Sequence, residues 1–174
     1  MKQKLTRIGL LGAAGKMGRE ITRQISNRED CEVGVAIEKK DSPFLGLDSG
    51  DLAGVHPNGC CVTDSLDALI GKVDVMIDFS IPESTLNTVG FCCENKMPIV
   101  IGTTGFGDKL SVVINSSSLI PMVLAPNMSI GVNLSFKVVE LAAEILADQF
   151  DVEIIEAHHR DKIDAPSGTA LRLG

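Results

Sequence analysis

Tryptophan and tyrosine are missing from these 174 residues, and phenylalanine occurs only six times. A core must therefore be packed from Val, Ile, Leu, Ala and Met, and a series of aromatic platforms for single-stranded nucleic acid is excluded. Basic runs are missing as well: none exceeds the pair Lys39-Lys40, in a chain of net charge −7. A protein that grips a phosphate backbone shows a basic stripe, so no nucleic-acid partner is expected. Any anionic ligand must be held by a local site and not by the overall field. No apolar stretch approaches the ~20 residues that a membrane span needs, so no membrane partner is expected either.

Cysteine is present in an unpromising pattern for cross-links. Cys31, Cys60, Cys61, Cys92 and Cys93 make an odd count, two pairs are adjacent, and no C-x-x-C occurs. That suits reduced thiols in a cytosolic protein better than a disulfide framework or a zinc site. Met1-Lys-Gln-Lys resembles the start of a secretion signal, but the apolar run over residues 8–14 is short and leads straight into glycines and Lys16. It reads as a buried strand, and a cytoplasmic location is expected.

With 44% hydrophobic and 22% charged residues the chain has globular composition, and its length allows one full domain and part of a second. Short apolar runs alternate with helical stretches. Strands are expected over residues 5–11, 31–37, 73–79, 98–101 and 122–125. Met17, Ile21 and Ile25 stand at helical spacing within 16–26, Pro82 and Glu83 mark a second helix start, and residues 110–118 form a third helix. Residues 41–63, rich in Gly, Asp, Ser and Pro, read as an irregular excursion. Buried strands separated by helices describe a Rossmann-like, doubly wound α/β domain with a parallel sheet. Near residue 127 the character changes. A longer helix over 129–146 and a strand over 152–157 open a second domain, giving 1–127 as the dinucleotide-binding domain and 128–174 as the beginning of an α+β substrate-binding and catalytic domain.

Gly12-Ala13-Ala14-Gly15-Lys16-Met17-Gly18 lies between the first strand and the first helix. The pattern is G-x-x-G-x-x-G, where the commonest form is G-x-G-x-x-G. Gly12 permits a tight turn, Gly15 a close approach to pyrophosphate, and Gly18 close packing of helix on strand. The helix N-terminus then offers N–H groups to phosphate. Twenty residues after Gly18, at the end of the second strand, Glu38 stands where a carboxylate binds adenosine ribose hydroxyls. Lys39 and Lys40 follow it and are suited to the 2′-phosphate of NADP, so use of both NADH and NADPH is expected. Asp78-Phe79-Ser80 and Gly102-Thr103-Thr104-Gly105 close two further strands, and both loops are expected to line the nicotinamide side.

Glu156-Ala-His158-His159-Arg-Asp-Lys162-Ile-Asp-Ala-Pro166-Ser167-Gly168-Thr169-Ala170 carries two of the three histidines in the chain. Residues 166–169 have the makings of a helix start whose N–H groups and hydroxyls hold a carboxylate. Cationic side chains beside it suggest a small polyanionic substrate and a proton donor. Metal binding is a weaker reading, because adjacent histidines on a strand face opposite ways and no third ligand stands out.

Over its whole length the chain resembles the 4-hydroxy-tetrahydrodipicolinate reductase family, at residues 12–18, 78–80 and 101–106 and above all at 156–170. The resemblance implies NAD(P)H-dependent reduction of a cyclic imine dicarboxylate to tetrahydrodipicolinate, on the diaminopimelate route to lysine. It implies His158 as acid/base, Lys162 as proton donor, and His159, Gly168 and Thr169, with Ser167 at the same helix start, as substrate contacts. Cofactor contacts carry over to Gly12, Ala13, Ala14, Gly15, Lys16, Met17, Glu38, Lys39, Gly102, Thr103 and Thr104, and to Ala125, Pro126, Asn127 and Met128. Phe79 belongs to the same side. Pro126 and Met128 stand where many relatives carry Ala and Phe. The family is homotetrameric and its chains continue beyond the substrate motif. The second domain is therefore expected to be incomplete at Gly174, and the 174 residues alone to be inactive. Two other readings remain: a dehydrogenase of an aspartate-derived semialdehyde, which needs a reactive cysteine near the nicotinamide, and a non-catalytic nucleotide sensor.

Overall fold

The structure, a computed structural model, describes residues 5–146, 149–158, 160 and 165–174. It divides into two units, Met1–Leu124 and Ala125–Gly174. In the first, β1 (Thr6–Leu11), α1 (Lys16–Ser26) and β2 (Cys31–Ile37) follow in immediate succession. After an excursion holding α2 (Ser49–Ala53) come β3 (Val62–Thr63), a 3-10 turn (Leu66–Leu69) and β4 (Val75–Asp78). Then α3 (Pro82–Glu94), β5 (Ile99–Ile101), α4 (Leu110–Ser116) and β6 (Met122–Leu124) complete the unit. All six strands pair in parallel, in the order β3-β2-β1-β4-β5-β6. This is the doubly wound sheet that the alternating apolar runs implied.

Both faces of the sheet are buried, which is why its strands read as continuous apolar runs. Leu11, Val35, Ile37, Met76, Ile99 and Ile101 pack against Val89 and Cys92 of α3 and Val113 of α4. Ile8, Leu10 and Ala36 face the other way, with Ile25 of α1. Leu11 pairs with both Ile37 and Asp78, Asp78 with Ile101, and Ile101 with Leu124, so five strands end on one line. The loops that follow them leave from a single edge. At the opposite end Arg7 clips β1 to the segment entering β4. Its backbone N–H and Nε donate to Asp74 Oδ2 at 2.9 and 3.1 Å, and Nη2 donates to Oδ1 at 3.0 Å.

In the second unit α5 (Ile130–Leu146) begins with Ser129, whose hydroxyl accepts from the Val132 N–H at 3.4 Å. Phe136 is its buried residue, covered by the Arg172 guanidinium at 4.8 Å from the ring centroid. Ile130, Leu134, Val138, Leu141 and Ile145 form an exposed stripe at helical spacing. A second helix, α6 (Gly168–Leu173), starts where the motif 166–169 suggested. The strand expected over residues 152–157 is not formed: 151–158 carry no regular secondary structure, and Val152 and Ile155 are exposed. An apolar run becomes a strand only when a neighbour accepts its backbone groups, and no described segment pairs with it. The described residues of this unit contribute helices alone.

The excursion over 41–63 is more regular than its composition suggested. Asp48 organises it. Its Oδ1 accepts from the N–H groups of Gly50, Asp51 and Asn58, and its Oδ2 from that of Gly59 at 2.8 Å. Burial alone would raise the Asp48 carboxyl, but these four donors hold it below the usual carboxylate range. A lowered folded value means that the contribution is complete above the unfolded value of about 3.9 and is lost as pH falls through the folded one. Asp48→Ala is expected to cost about 1–2 kcal/mol at neutral pH, the scale of a lost helix cap. Urea unfolding measures this, and the gap from wild type should close in acid. An unchanged midpoint at neutral pH would show that the excursion holds its shape without Asp48.

Candidate functional site

The chain reverses from β1 into α1 within residues 12–15. Gly12 adopts φ +72, a left-handed conformation that side chains disfavour. Gly18 permits the helix to sit on the turn, since a Cβ there would lie 2.2 Å from the Gly12 carbonyl oxygen. The turn is tied down from within. Gly12 and Ala13 N–H donate to the Ile37 carbonyl at 2.9 and 3.1 Å, and Gly15 N–H to the Gly12 carbonyl at 3.0 Å. Arg19 N–H donates to Gly15 in the first helical bond, so the N–H groups of Lys16, Met17 and Gly18 lie ahead of any intrahelical acceptor. No acidic residue occupies the first turn of α1, so the helix itself supplies no carboxylate to the positive end of its dipole. Phosphate donors are thus to be sought at residues 16–18 more than at 12–14.

Glu38 lies at the end of β2, half-buried, and its Oε1 accepts the Ala14 N–H at 2.9 Å. One carboxylate oxygen is thus committed to the loop, while Oε2 meets only the Lys39 N–H at 3.4 Å. Lys39 and Lys40 are exposed beside it. Arg19, which the motif did not single out, braces the other side. Its Nε donates to the Ala14 carbonyl at 2.7 Å, and its guanidinium stacks on Phe44 at 5.0 Å.

Strand order reverses between β1 and β4, and a crevice opens at such a switch point outside the carboxyl ends of the strands. Glu38, following β2, stands on one side of it. On the other side stand residues 79–80, following β4, and 102–104, following β5. The Gly102 N–H donates to the Asp78 carbonyl at 2.9 Å. Thr104 is exposed, but Thr103 is buried, and its hydroxyl is spent inward on Asp78 and Thr85. Only its backbone is left to face a ligand.

In the second unit Ala125, Pro126, Asn127 and Met128 lead into α5, with Met128 exposed. Asn127 serves the helix start, its Oδ1 accepting the Ser129 N–H at 2.8 Å. His158 is exposed, with Nδ1 3.6 Å from Glu156 Oε2. Glu156 Oε1 accepts the Ser167 N–H at 2.8 Å, and the Ser167 hydroxyl caps α6 by accepting from Ala170 N–H at 3.1 Å. Glu156 therefore joins His158 to the helix start, a role the residue list of the motif did not assign it. The signal available was its spacing of two from His158, which would place both on one side of a strand. A side-chain carboxylate occupies the Ser167 N–H, and Gly168 and Thr169, both half-buried, follow it at the helix start. His159 and Lys162 lie outside the described residues. No three His, Cys, Asp or Glu among the described residues are grouped to hold a metal, and no described helix is long and apolar enough to cross a membrane.

Cys92 sits in the last turn of α3 with no exposed surface. Burial, with Cys93 and Asp78 nearby, pushes its thiol up to about 12, against about 8.5 for a free cysteine. A nucleophile needs the reverse shift, so Cys92 is unsuited to be the reactive residue that the semialdehyde dehydrogenase reading requires. Native protein treated with iodoacetamide at mildly alkaline pH is expected to be alkylated at exposed Cys61 and spared at Cys92, as read by peptide mass spectrometry. Equal labelling of the two would mean that α3 opens in the native state.

Residues 6–128 match the family model described as dihydrodipicolinate reductase, N-terminus, and residues 131–174 match dihydrodipicolinate reductase, C-terminus. A curated 4-hydroxy-tetrahydrodipicolinate reductase of Alkalilimnicola ehrlichii is 47% identical over 170 residues, covering 97% of this chain and 64% of its own length. The structure of a dipicolinate-bound dihydrodipicolinate reductase from Paenisporosarcina sp. TG-14 is similar with a TM-score of 0.71 and 34% identity, again over 97% of this chain and 64% of that one. An oxidoreductase from Agrobacterium radiobacter, solved with NAD+, L-tartaric acid and magnesium, shares the fold at 17% identity and a TM-score of 0.59, over 82% of this chain and 41% of that one. The chain thus spans about two thirds of the length of the curated relative it matches.

Proposed function

The chain belongs to the dihydrodipicolinate reductase family, and on that premise we propose that it carries the nucleotide site and reaction motif of an NAD(P)H-dependent reductase that converts 4-hydroxy-tetrahydrodipicolinate to tetrahydrodipicolinate, on the diaminopimelate route to lysine. The observation that carries the proposal is the Glu38 clamp on a glycine turn whose helix start keeps its N–H groups of residues 16–18 free for phosphate. The site fits a dinucleotide: a Cβ at Gly18 would fill the turn, Glu38 Oε2 suits a ribose hydroxyl, and Lys39 suits a 2′-phosphate. Gly102 and Thr104, with Phe79 and residues 125–128, are assigned to the nicotinamide half.

When bound, the reduced nicotinamide supplies the hydride. The chain's own residues have three tasks. Gly168 and Thr169 offer a backbone N–H pair and a hydroxyl to one carboxylate of a small dicarboxylate substrate, and His159 is assigned to the same anion. His158 exchanges a proton through Nε2, its ring held at Nδ1 by Glu156. Lys162 delivers the proton to the reduced substrate, as a positioned ammonium suits. A non-catalytic nucleotide sensor would have no use for Glu156 joining a histidine to a helix start. NADH and NADPH are both proposed as donors. A homotetrameric, cytoplasmic enzyme is part of the same proposal and rests on family membership.

Two measurements test it on the intact enzyme. Lys162→Ala is expected to lower turnover by at least about a hundredfold in an assay of NADPH oxidation with freshly generated substrate, with nucleotide affinity barely changed. A near-normal rate would remove Lys162 from the chemistry. Glu38→Ala is expected to weaken both nucleotides, because the Ala14 clamp is lost, and NADH by about tenfold more than NADPH, about 1.4 kcal/mol. Equal losses by calorimetry would leave Glu38 as a clamp that does not read the ribose.

A further inference from the structure

Asp78 has no exposed surface, stands at the end of the strand beside the switch point, and takes no part in the chemistry above. Burying a carboxylate is costly unless donors converge on it. Three do, all on Oδ1: the Ser80 N–H at 2.8 Å, the Ser80 hydroxyl at 2.7 Å and the Thr103 hydroxyl at 3.3 Å. Thr103 in turn accepts from the buried Thr85 hydroxyl at 3.0 Å, which ties in α3. Asp78 Oδ2 has no partner among the described residues.

The placement of these donors is informative. Ser80 belongs to the loop after β4 and Thr103 to the loop after β5, so one oxygen holds two strand-end loops together. The fit above it is tight: a Cβ on Gly102 would fall 2.0 Å from the Phe79 ring. A buried polar side chain is costly where an apolar one of the same volume would pack without it, which points to a geometric task. We propose that Asp78 is a positioning residue for the nicotinamide half of the dinucleotide. Through Ser80 and Thr103 it sets the spacing of the Phe79–Ser80 and Gly102–Thr104 loops without touching the ligand. The inference rests on the nucleotide reading given above.

ADP-ribose separates the two, because it carries the adenosine and pyrophosphate but no nicotinamide. Calorimetric titration of the intact protein with NADH and with ADP-ribose is compared for wild type, Asp78→Asn and Thr103→Val, alongside their melting temperatures. Thr103→Val swaps a buried hydroxyl for a methyl and cuts the carboxylate from the second loop. It is expected to weaken NADH about tenfold while ADP-ribose changes by less than about twofold, with a lowered melting temperature but a folded protein. Asp78→Asn should move the two ligands in the same unequal way. If that variant does not fold, Thr103→Val decides alone. Equal weakening of both ligands in Thr103→Val, or of neither, overturns the positioning role and leaves the nucleotide site standing. Failure of wild type to bind either ligand overturns the nucleotide reading and this inference with it.

Discussion

The reversal of the chain from β1 into α1 is the constraint on which the rest of the site depends. Four residues must turn the backbone, bring a helix end to the sheet edge and leave that end open. Gly12 and Gly18 remove the two steric obstacles, and the carbonyl of Ile37 takes up the N–H groups of residues 12 and 13. Glu38 then fixes the N–H of residue 14 from the neighbouring strand, and Arg19 fixes the carbonyl of the same residue from the helix. Both faces of one small loop are therefore held by side chains from elements that pack for other reasons. A site arranged this way needs no reorganisation to meet an anion, which is the advantage of oriented backbone donors over flexible cations.

The two units manage apolar surface differently. The sheet of the first unit is covered on both sides, and its helices contribute one buried face each. In the second, α5 buries Phe136 and exposes a long apolar stripe. Glu156 and the cap of α6 are nevertheless joined through Ser167 by polar contacts of short sequence separation.

Much of the first unit was legible because its signals are local. The bounds of α1 and β2 coincide with those read from apolar spacing and flanking residues, and Pro82 starts α3 as its fixed φ requires. β3 escaped notice because two residues carry no periodicity, and α2 because its cap is made by Asp48 reaching residues up to Gly59. Residues 152–157 show the opposite error: the apolar pattern of a strand is local, but its partner is not. The glycine loop and the carboxylate after β2 were recognisable by type and spacing. That Glu38 spends one oxygen on the loop, that Thr103 turns inward, and that Glu156 takes the Ser167 N–H are facts of side-chain direction. A linear pattern does not encode them.

The Arg7–Asp74 pair spans 67 residues and marks the longest-range seam of the sheet, between β1 and β4. β1 meets β2, β4 meets β5 and β5 meets β6 across a single intervening helical crossover. Closing short loops is entropically easier than closing long ones, and distant pairings form late. The domain is thus expected to assemble as two local sheets that join along this seam. The crevice lies over the same junction, so a dinucleotide bridging it would favour the joined state over the separated halves by mass action. Ligand recognition and the last step of folding would then share one boundary.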